Sequence, residues 1–574
     1  MVKDALKDIL KKSLTVKRLF RRYRSKVGGY PEWGKLLAKD RLFWDKSIAK
    51  AKEGPKTLIA TNVGLLLPCV IVESLLGVAL TLRGRDIHIL LCDEFLPACL
   101  ACEVAWYPKQ EKFAEYGPSK DLCKDCFKPA EKMYSSLGFK VHRYGELVTD
   151  EEQKTADKIS SEIPAAEIGG YKFNGMAVGE HALAGALRFY AKASLESEPR
   201  GEEALRRYFK ASVLTVFATQ RLLKKHSFES AVFNHGIYVP QGLIGEVCRK
   251  EGVRVVTWNP AYRKKCFIFS HSDTYHHTLM TEPTGKWENM TWTPEMEADI
   301  MRYLESRWYG KEDWILFHDR PSVKMDDIAK EIGADFSKPC IGMLTNVMWD
   351  AQLHYPANAF PDMLEWVLQT IRYFAKRPEL NLIIRVHPAE VRGVQPSRQP
   401  IMDEIKKAFS RIPANIFIIP PESRIGTYAA MLRCDSAIIY GTKTGVELTS
   451  IGIPVIVAGE AWIRNKGVTM DAASAAEYFK MLDTLPLREK LDDATRKRAR
   501  MYAYHFFFRR MIPVEVIEPV SIHPSFKVSF SRLSELDRGG DAGIDVICDG
   551  IIKGEDFIYP AERLRNYGQE ERKQ

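Results

Sequence analysis

The sequence predicts an α/β protein with two doubly wound domains, each a mostly parallel sheet with helices on both faces. Short apolar strands alternate with helix-like segments in two separate trains, which is the pattern of consecutive β–α–β units. The chain also has 574 residues, more than one hydrophobic core usually serves. Its composition, 45% hydrophobic and 28% charged, is ordinary for a globular protein.

The first train predicts an N-terminal domain over residues 50–282. Its strands are expected at 57–64, 86–94, 138–146, 230–236 and 253–260. A charged, helix-rich insertion at 150–228 separates the third strand from the fourth. We expect this insertion to lie over the active face of the domain.

The second train predicts a C-terminal domain over residues 339–470. Its strands are expected at 340–347, 380–388, 415–421, 436–441 and 453–459. The polar, Trp-rich region 283–338 is predicted to link the two domains, and residues 471–574 are predicted to form C-terminal helices and a tail.

The beginning of the chain is strongly basic. Residues 1–26 contain ten Lys and Arg against two Asp, so they carry 8 of the net +10 charge. Apolar residues recur there at helical spacing, which predicts a basic amphipathic helix over 1–28. We expect this helix to lie on an anionic membrane surface. A helix packed on the body of the protein is the main alternative, and we expect no nucleic-acid partner.

The longest apolar stretch, VGLLLPCVIVESLLGVALTL, is interrupted by Pro68 and Glu73, so we predict no transmembrane span. The first residues also lack the apolar core and cleavage site of a secretory signal. The protein is therefore expected in the cytoplasm, peripheral on the inner face of the membrane.

Four cysteines in segment 92–126 form the sharpest spacing pattern. CLAC (Cys99, Cys102) and CKDC (Cys123, Cys126) are separated by 20 residues. This spacing is typical of a structural zinc site with four thiolate ligands. A redox pair, an iron–sulfur cluster with Cys92 as a spare ligand, and no metal at all remain open. Catalytic zinc is not expected, because four thiolates leave no open position.

In doubly wound sheets, ligands bind at the carboxyl ends of the strands, and polar groups gather at these ends in the second train. The strand LIIRVHP ends in Arg385, His387 and Pro388, and a later strand leads into Thr442, Thr444 and Gly445 at a helix start. Free amides at a helix N-terminus favour phosphate, and the arginine and histidine could meet the same phosphate. Glu447, one turn later, is either a ribose ligand or a solvated surface acid.

These residues resemble a known family. RVHP, followed some 50 residues later by YGTKTGVELTSIGIPVIVAGEAWIRNKGVT, is similar to the C-terminal half of capsule polysaccharide biosynthesis proteins, which include the β-Kdo transferases of bacterial capsules. The matching positions are His387, Pro388, Thr442, Thr444, Gly445, Glu447, Gly452, Pro454, Val455, Gly459, Trp462, Gly467 and Thr469. This sequence departs from the family at IRNKG, where an aromatic segment is usual.

The resemblance implies a two-domain GT-B glycosyltransferase that binds a CMP-, UDP- or GDP-linked sugar in its C-terminal domain, with the HP histidine on the donor phosphate. The segment NHGIYVPQG resembles surface-carbohydrate biosynthesis proteins more loosely and presents His235 after a strand. A neutral imidazole there could deprotonate an acceptor hydroxyl. Asp93 and Glu180 are further acid or base candidates.

Together these features predict a glycosyltransferase that transfers a sugar from a nucleotide-sugar donor to a surface polysaccharide or a lipid-linked glycan. Two alternatives share the fold. One is a non-catalytic module for polysaccharide binding or export, and the other is a nucleotide-sugar 2-epimerase. The basic N-terminal helix argues mildly against an epimerase, because a free nucleotide sugar needs no membrane surface.

Overall fold

The computed structural model describes residues 29–103, 107, 110–308, 312–314, 331–353, 356–393, 395–487, 489–520 and 526–564. The predicted basic helix over residues 1–28 lies outside this part of the chain. Among the described residues, no helix is both long enough and apolar enough to cross a membrane.

The described strands form two large sheets and one small ribbon. They are β1 (Lys56–Asn62), β2 (Asp86–Leu91), β3 (Lys140–Arg143), β4 (Phe228–Asn234), β5 (Arg254–Pro260), β6 (Cys266–His271), β7 (Cys340–Leu344), β8 (Asn381–Arg385), β9 (Ile416–Ile419), β10 (Ser436–Ile439), β11 (Val455–Val457), β12 (Met470–Asp471), β13 (Ile512–Pro513), β14 (Ile517–Pro519) and β15 (Phe526–Val528). The last two pair antiparallel as the ribbon.

The described α-helices are α1 (Trp33–Leu36), α2 (Arg41–Ala51), α3 (Leu67–Leu82), α4 (Gln110–Tyr116), α5 (Lys120–Ser136), α6 (Asp150–Glu162), α7 (Ala165–Ile168), α8 (Val178–Tyr190), α9 (Gly201–Lys225), α10 (Gln241–Lys250), α11 (Tyr275–Thr281), α12 (Gly285–Glu288), α13 (Pro294–Arg307), α14 (Met363–Phe374), α15 (Ala389–Arg392), α16 (Ile401–Ala408), α17 (Thr427–Met431), α18 (Thr444–Ser450), α19 (Ala475–Leu482), α20 (Asp493–Tyr504) and α21 (Ala542–Lys553). A π-helical turn at His505–Arg510 continues α20.

Both sheets have the strand order of a doubly wound fold. The first runs β13-β6-β5-β4-β1-β2-β3. Strands β1 to β5 are parallel, and at one edge β6 pairs antiparallel with β5 and β13 pairs antiparallel with β6. The second runs β12-β11-β10-β7-β8-β9 and is parallel throughout. In each sheet the strand order reverses beside the first strand, between β1 and β4 and between β7 and β10. A ligand site is expected in the crevice at each of these switch points.

The ten predicted strands are all present, with ends shifted by a few residues. The helix-rich segment 150–228, however, is the crossover from β3 to β4 rather than an insertion over the active face. Its longest helix, α9, presents a continuous buried stripe to the first sheet, including Leu214 and Leu222. The helices α6 to α9 therefore belong to the core of the domain.

The C-terminal residues return to the first domain, which the sequence did not predict. Strand β13 joins the edge of the first sheet beside β6. Helix α21 packs against α3, and Arg83 at the end of α3 forms an ion pair with Asp545 of α21 at 2.6 Å. The predicted linker 283–338 likewise contains a helix, α13, whose Ile300 and Tyr303 are buried against residues of α20. The chain thus crosses between the domains twice.

Helix α3 carries one buried acid in an otherwise apolar sequence. Glu73 is 0% exposed, and the indole N–H of Trp258 on β5 donates to its Oε1 at 3.0 Å. Burial raises the pKa of Glu73 to about 7, because the low-dielectric core disfavours the carboxylate. The native state therefore binds this proton more tightly than the unfolded chain.

Because the native pKa is raised, the stabilisation from protonated Glu73 is complete at acid pH and is lost as the pH rises through 7. We expect Glu73→Gln, which keeps an acceptor for Trp258, to remove a pH dependence of about 3 kcal/mol between pH 5 and 8. Urea unfolding at both pH values measures it, with the exposed Glu32→Gln as control. Equal pH dependence in wild type and Glu73→Gln would contradict the assignment.

Candidate active site between the two sheets

A cavity of about 420 Å³ lies between the two domains and receives side chains from both switch points. His235, at the end of β4, and His276 on α11 line it from the first domain. Thr345 after β7, His387 after β8 and Thr442 after β10 line it from the second. The carboxyl ends of both parallel sheets therefore face one another across a shared space.

The HP turn presents its histidine to this cavity in a defined tautomer. The backbone N–H of His387 donates to Thr345 Oγ1 at 3.1 Å, and its Nδ1 accepts the N–H of Ala389 at 3.1 Å. An Nδ1 that accepts a hydrogen bond leaves the proton of a neutral imidazole on Nε2. His387 is thus held with an N–H donor at Nε2. Pro388 begins the short helix α15 that supplies the Ala389 amide.

Arg385 is only 2% exposed and serves the loop after β9. Its guanidinium donates to the carbonyl oxygens of Pro420 and Ser423. Burial lowers its pKa to about 10, with a further contribution from nearby Arg392. Arg385 reaches the cavity wall, but these contacts indicate that it also holds the wall's shape.

The turn before α18 closes on itself. Thr442 Oγ1 accepts the N–H of Thr444 at 3.3 Å and donates to the Thr444 hydroxyl at 3.2 Å. The N–H of Gly445 points to the Thr442 carbonyl at 3.5 Å. Two of the amides expected to bind phosphate are therefore partly satisfied by the turn itself, although Thr442 and Thr444 line the cavity. Gly445 has the close contacts of a packing glycine, since an added Cβ would lie 2.6 Å from Ile439.

A buried charge network lies beneath this turn. Lys443 and Arg307 both line the cavity, and each forms an ion pair with Glu447 Oε1, at 2.8 and 3.1 Å. Arg307 also pairs with Asp313. Glu447 is 3% exposed and does not line the cavity, so the interpretation as a solvated acid is wrong. Its position behind two cations indicates that it holds them toward the cavity.

These charges are strongly coupled. Burial alone would raise the pKa of Glu447, but Lys443 and Arg307 outweigh it and the pKa is lowered. Burial, followed by the repulsion of Arg307, lowers the pKa of Lys443. Tyr262 of the first domain lies under the Lys443 ammonium, 4.7 Å from its ring centroid. The two cations are thus balanced by two carboxylates, those of Glu447 and Asp313, and Asp313 also lines the cavity.

His235 occupies a strained position at the end of β4. Its φ of 66° lies in the left-handed region, which non-glycine residues rarely adopt. Its buried Nδ1 has no hydrogen-bond partner among the described residues. Burial lowers its pKa to about 4, so the imidazole is neutral at physiological pH. Backbone strain at the edge of a cavity is typical of functional positions.

Asp350 is a carboxylate of this cavity that sequence reasoning missed. Its Oδ1 accepts the hydroxyl of Tyr238 at 2.5 Å, and the same hydroxyl accepts the N–H of Ala351 at 2.7 Å. Arg188 lies 5.2 Å from the centroid of the Tyr238 ring. Asp350 follows β7 by six residues, so only its position on a strand-end loop could have drawn attention to it.

A second missed acid, Glu460, faces the cavity from the loop after β11. Burial raises the pKa of Glu460, and His277 partly offsets this effect. His277 Nε2 lies 3.6 Å from Glu460 Oε2, and its Nδ1 lies 2.8 Å from Asp273 Oδ2. Burial disfavours the charged form of His277, but the hydrogen bond to Asp273 and the negative charges of Asp273 and Glu460 together outweigh it and raise the pKa. This chain of groups connects the two domains at the cavity edge.

Two predicted catalytic acids lie elsewhere. Asp93, after β2, accepts the N–H of Gly145 at 3.1 Å and does not line the cavity. In the sheet, β1 lies between β2 and β4. The loop after β2, which holds Asp93, is therefore set to one side of the β1/β4 switch point and of the cavity. Glu180 is in the first turn of α8 and does not line the cavity either. Of the three predicted catalytic residues, His235 alone is in the cavity wall.

The four cysteines of the zinc prediction come together only loosely. Cys99 and Cys102 share a turn closed by the Cys102 N–H on the Cys99 carbonyl at 2.9 Å. The Cys102 thiol donates to the Cys99 sulfur, which lowers the pKa of Cys99 and raises that of Cys102. Cys126 Sγ accepts the N–H of Leu65 at 3.3 Å. Within the described residues these sulfurs are not grouped within 4.8 Å of one another, so zinc stays a prediction.

No protein-family model matches the chain, and no curated protein matches it. It is similar to solved structures that include KpsC, a beta Kdo 2,4 transferase of Thermosulfurimonas dismutans, with 11% identity, TM-score 0.32 and coverage of 48% of this chain and 79% of that chain. Another is the Streptomyces sp. SF2575 glycosyltransferase SsfS6, complexed with thymidine diphosphate, with 10% identity, TM-score 0.22 and coverage of 78% and 95%. A third is UDP-GlcNAc 2-epimerase from Neisseria meningitidis, bound to UDP-GlcNAc, with 10% identity, TM-score 0.23 and coverage of 78% and 98%.

We expect Glu447→Gln to destabilise the protein by about 3 kcal/mol, because it leaves two buried cations without their shared carboxylate. Urea unfolding measures the loss. Glu32→Gln is the matched control, since it makes the same change in the exposed pair with Lys35 and should leave stability unchanged. Equal stability of the two variants would show that the buried network does not hold the cavity wall.

Proposed function

We propose that the protein is a GT-B glycosyltransferase that transfers a sugar from a nucleotide-sugar donor to a glycan acceptor. The observation that carries this proposal is the single cavity between two switch points. Its second-domain end has the Nε2–H donor of His387 and the ion-paired cations Lys443 and Arg307, and its first-domain wall has a neutral imidazole. The phosphate of a nucleotide-sugar donor suits the second-domain end, and an acceptor hydroxyl suits the first-domain wall.

The donor phosphate binds between His387 and Lys443 in this proposal. The Nε2–H of His387 donates to a phosphate oxygen, and Lys443 and Arg307, which are paired with Glu447 and Asp313, supply further N–H donors at the cavity wall. The hydroxyls of Thr442 and Thr444 complete the polar wall. Arg385 contributes mainly through the loop that it holds, and Pro388 and Gly445 shape the two turns.

The acceptor hydroxyl is placed at the first-domain wall. Its oxygen attacks the anomeric carbon of the donor sugar, the bond from that carbon to the phosphate oxygen breaks, and the nucleotide leaves as an anion. His235 or Asp350 takes the hydroxyl proton as the general base. Asp350 is bound to Tyr238, which fixes the carboxylate on the loop after β7. The N–H donors of His387 and Lys443 stabilise the leaving phosphate.

The remaining features concern the surroundings of the reaction. We infer that the acceptor is a surface polysaccharide or a lipid-linked glycan and that the basic helix over 1–28 holds the protein at an anionic membrane surface. The cysteines Cys99, Cys102, Cys123 and Cys126 would hold a structural zinc ion when their sulfurs draw together. Such a site would fix the segment beside Tyr238, since Cys126 packs in the same cluster as that ring.

A thermal-shift screen of the protein against CMP, CDP, UDP, GDP and their common sugars tests the donor site. A ligand at a hundredfold excess over its Kd stabilises the protein by about 2.7 kcal/mol. We expect one nucleotide class to raise the Tm, and His387→Ala to lose most of that shift. His271→Ala, which removes an imidazole at the opposite edge of the first sheet, should retain it. If no nucleotide shifts the Tm, the transferase proposal fails.

Acceptor-dependent turnover tests the proposed reaction. We expect Asp350→Asn to lower kcat by about 100-fold or more if Asp350 is the base, with donor affinity unchanged. His235→Gln should do so if the histidine is the base instead. Because the pKa of His235 is about 4, the rate should then show no titration of this group between pH 6 and 8.

Nucleotide release and epimer formation are followed in the same assay. Release of nucleotide only with acceptor present supports the transferase, whereas epimerisation of the sugar without acceptor would identify a 2-epimerase. Full turnover by both Asp350→Asn and His235→Gln would contradict the proposed bases.

A further inference from the structure

Three histidines meet at the edge of the first sheet that faces away from the cavity. His88 is the third residue of β2, His142 is the third residue of β3, and His226 lies between α9 and β4. Their ring centroids are 5.0 Å apart in all three pairs. One nitrogen from each ring lies within 4.8 Å of the other two. Among the described residues, no other set of three or more His, Cys, Asp or Glu side chains brings its ligand atoms this close together.

The strand register produces this arrangement. In the parallel pair β2–β3, Leu90 is opposite His142, so His142 lies on the face that His88 and Leu90 share. His226 precedes β4 at the amino end of the sheet, and Phe228 at its start packs edge-on against His88, with centroids 5.2 Å apart. The three residues are far apart in sequence, and the fold alone brings them together.

A carboxylate orients the central ring. His88 Nε2 lies 3.1 Å from Asp86 Oδ2, so this nitrogen carries the ring proton and donates it to the carboxylate. The lone pair of His88 is then on Nδ1, which lies 2.8 Å from His142 Nε2. A carboxylate that binds the second nitrogen of a histidine is the usual outer partner of a metal ligand.

Burial favours the neutral form of the three rings, which is the form that metals bind. Burial, together with nearby positive charge, lowers the pKa of His88 and of His142 to about 3. Burial also lowers the pKa of His226. His88 is 3% exposed and His142 is 7% exposed, whereas His226 is half-buried and leaves a path from solvent. Lys56, Lys140 and Lys225 lie nearby and oppose a cation, which limits its affinity.

We propose that His88, His142 and His226 bind one divalent transition-metal ion of the zinc class, with water at the remaining position on the solvent side. Neutral imidazoles are favoured ligands of zinc, nickel and copper. When the ion binds, His88 Nδ1 and His142 Nε2 both turn their lone pairs to it. The proton of His142 moves to its own Nδ1, so the ring stays neutral. The ion joins β2, β3 and the start of β4 at the end of the domain opposite the cavity.

The test uses the full-length, untagged protein after removal of metals by chelation. Zn²⁺ content and affinity are measured, and Co²⁺ serves as a spectroscopic probe. The Cys99→Ser/Cys123→Ser variant removes the other candidate zinc site. In that background we expect one bound Co²⁺ with visible ligand-field absorption and without thiolate charge-transfer bands, and a Tm that rises with Zn²⁺.

His226→Ala, which removes the most exposed ligand, should weaken Zn²⁺ binding by at least 100-fold and abolish the Zn²⁺-dependent Tm shift. Asp86→Asn keeps all three ligands and should weaken binding by about 10- to 100-fold, so it remains informative if His226→Ala does not fold. His271→Ala, on β6 near the other edge of the sheet and outside the cluster, should bind Zn²⁺ as the wild type does. The proposal is overturned if the cysteine variant binds no metal, or if His226→Ala and Asp86→Asn bind it unchanged.

Discussion

The reversal of strand order beside the first strand of each sheet is the constraint on which the rest of this structure depends. Helices leave opposite faces of the sheet on the two sides of that point, so the loops after the neighbouring strands separate and open a crevice. Here the two crevices face each other. The strained His235 follows β4 at one of them, and the HP turn follows β8 beside the other. Neither sheet alone would enclose the cavity.

The polar wall of the cavity is maintained by groups that never reach it. Glu447 is buried behind Lys443 and Arg307. It lies on α18, whereas Arg307 is the last residue of α13, in the segment between the domains. An unpaired cation would not stay in this position, because no opposite charge would offset the free-energy cost of removing it from water. Glu447, together with Asp313, therefore allows two positive side chains to remain at the wall of the cavity.

The sequence predicts most of the fold, because ten strands carry the apolar runs and turn signals of parallel β–α–β units. Strands β6 and β13 were not predicted, because they pair antiparallel at an edge of the sheet and no crossover helix precedes or follows them as a signal in the sequence. His387 and Thr442 could be predicted as site residues because they directly follow strands. Glu460 follows β11 by three residues, as Thr442 follows β10, so the same signal was present and was overlooked. Asp350 could not be predicted in this way, since a longer loop carries it, and Arg307 reaches the cavity from the end of α13 through contacts between the domains. The spacing of His88, His142 and His226 carries no local signal at all.

The return of the chain to its first domain has a consequence for how such a protein can be divided. With β13 and α21 built into the N-terminal domain, that domain is assembled from two distant parts of the gene product, while the C-terminal domain is one continuous piece between them. The second domain is thus inserted into the first: the chain comes to it from the first domain and returns to the first domain after it. Exchange of the second domain by recombination would have to replace an internal segment, since a simple exchange of C-terminal halves would also remove the edge of the first sheet.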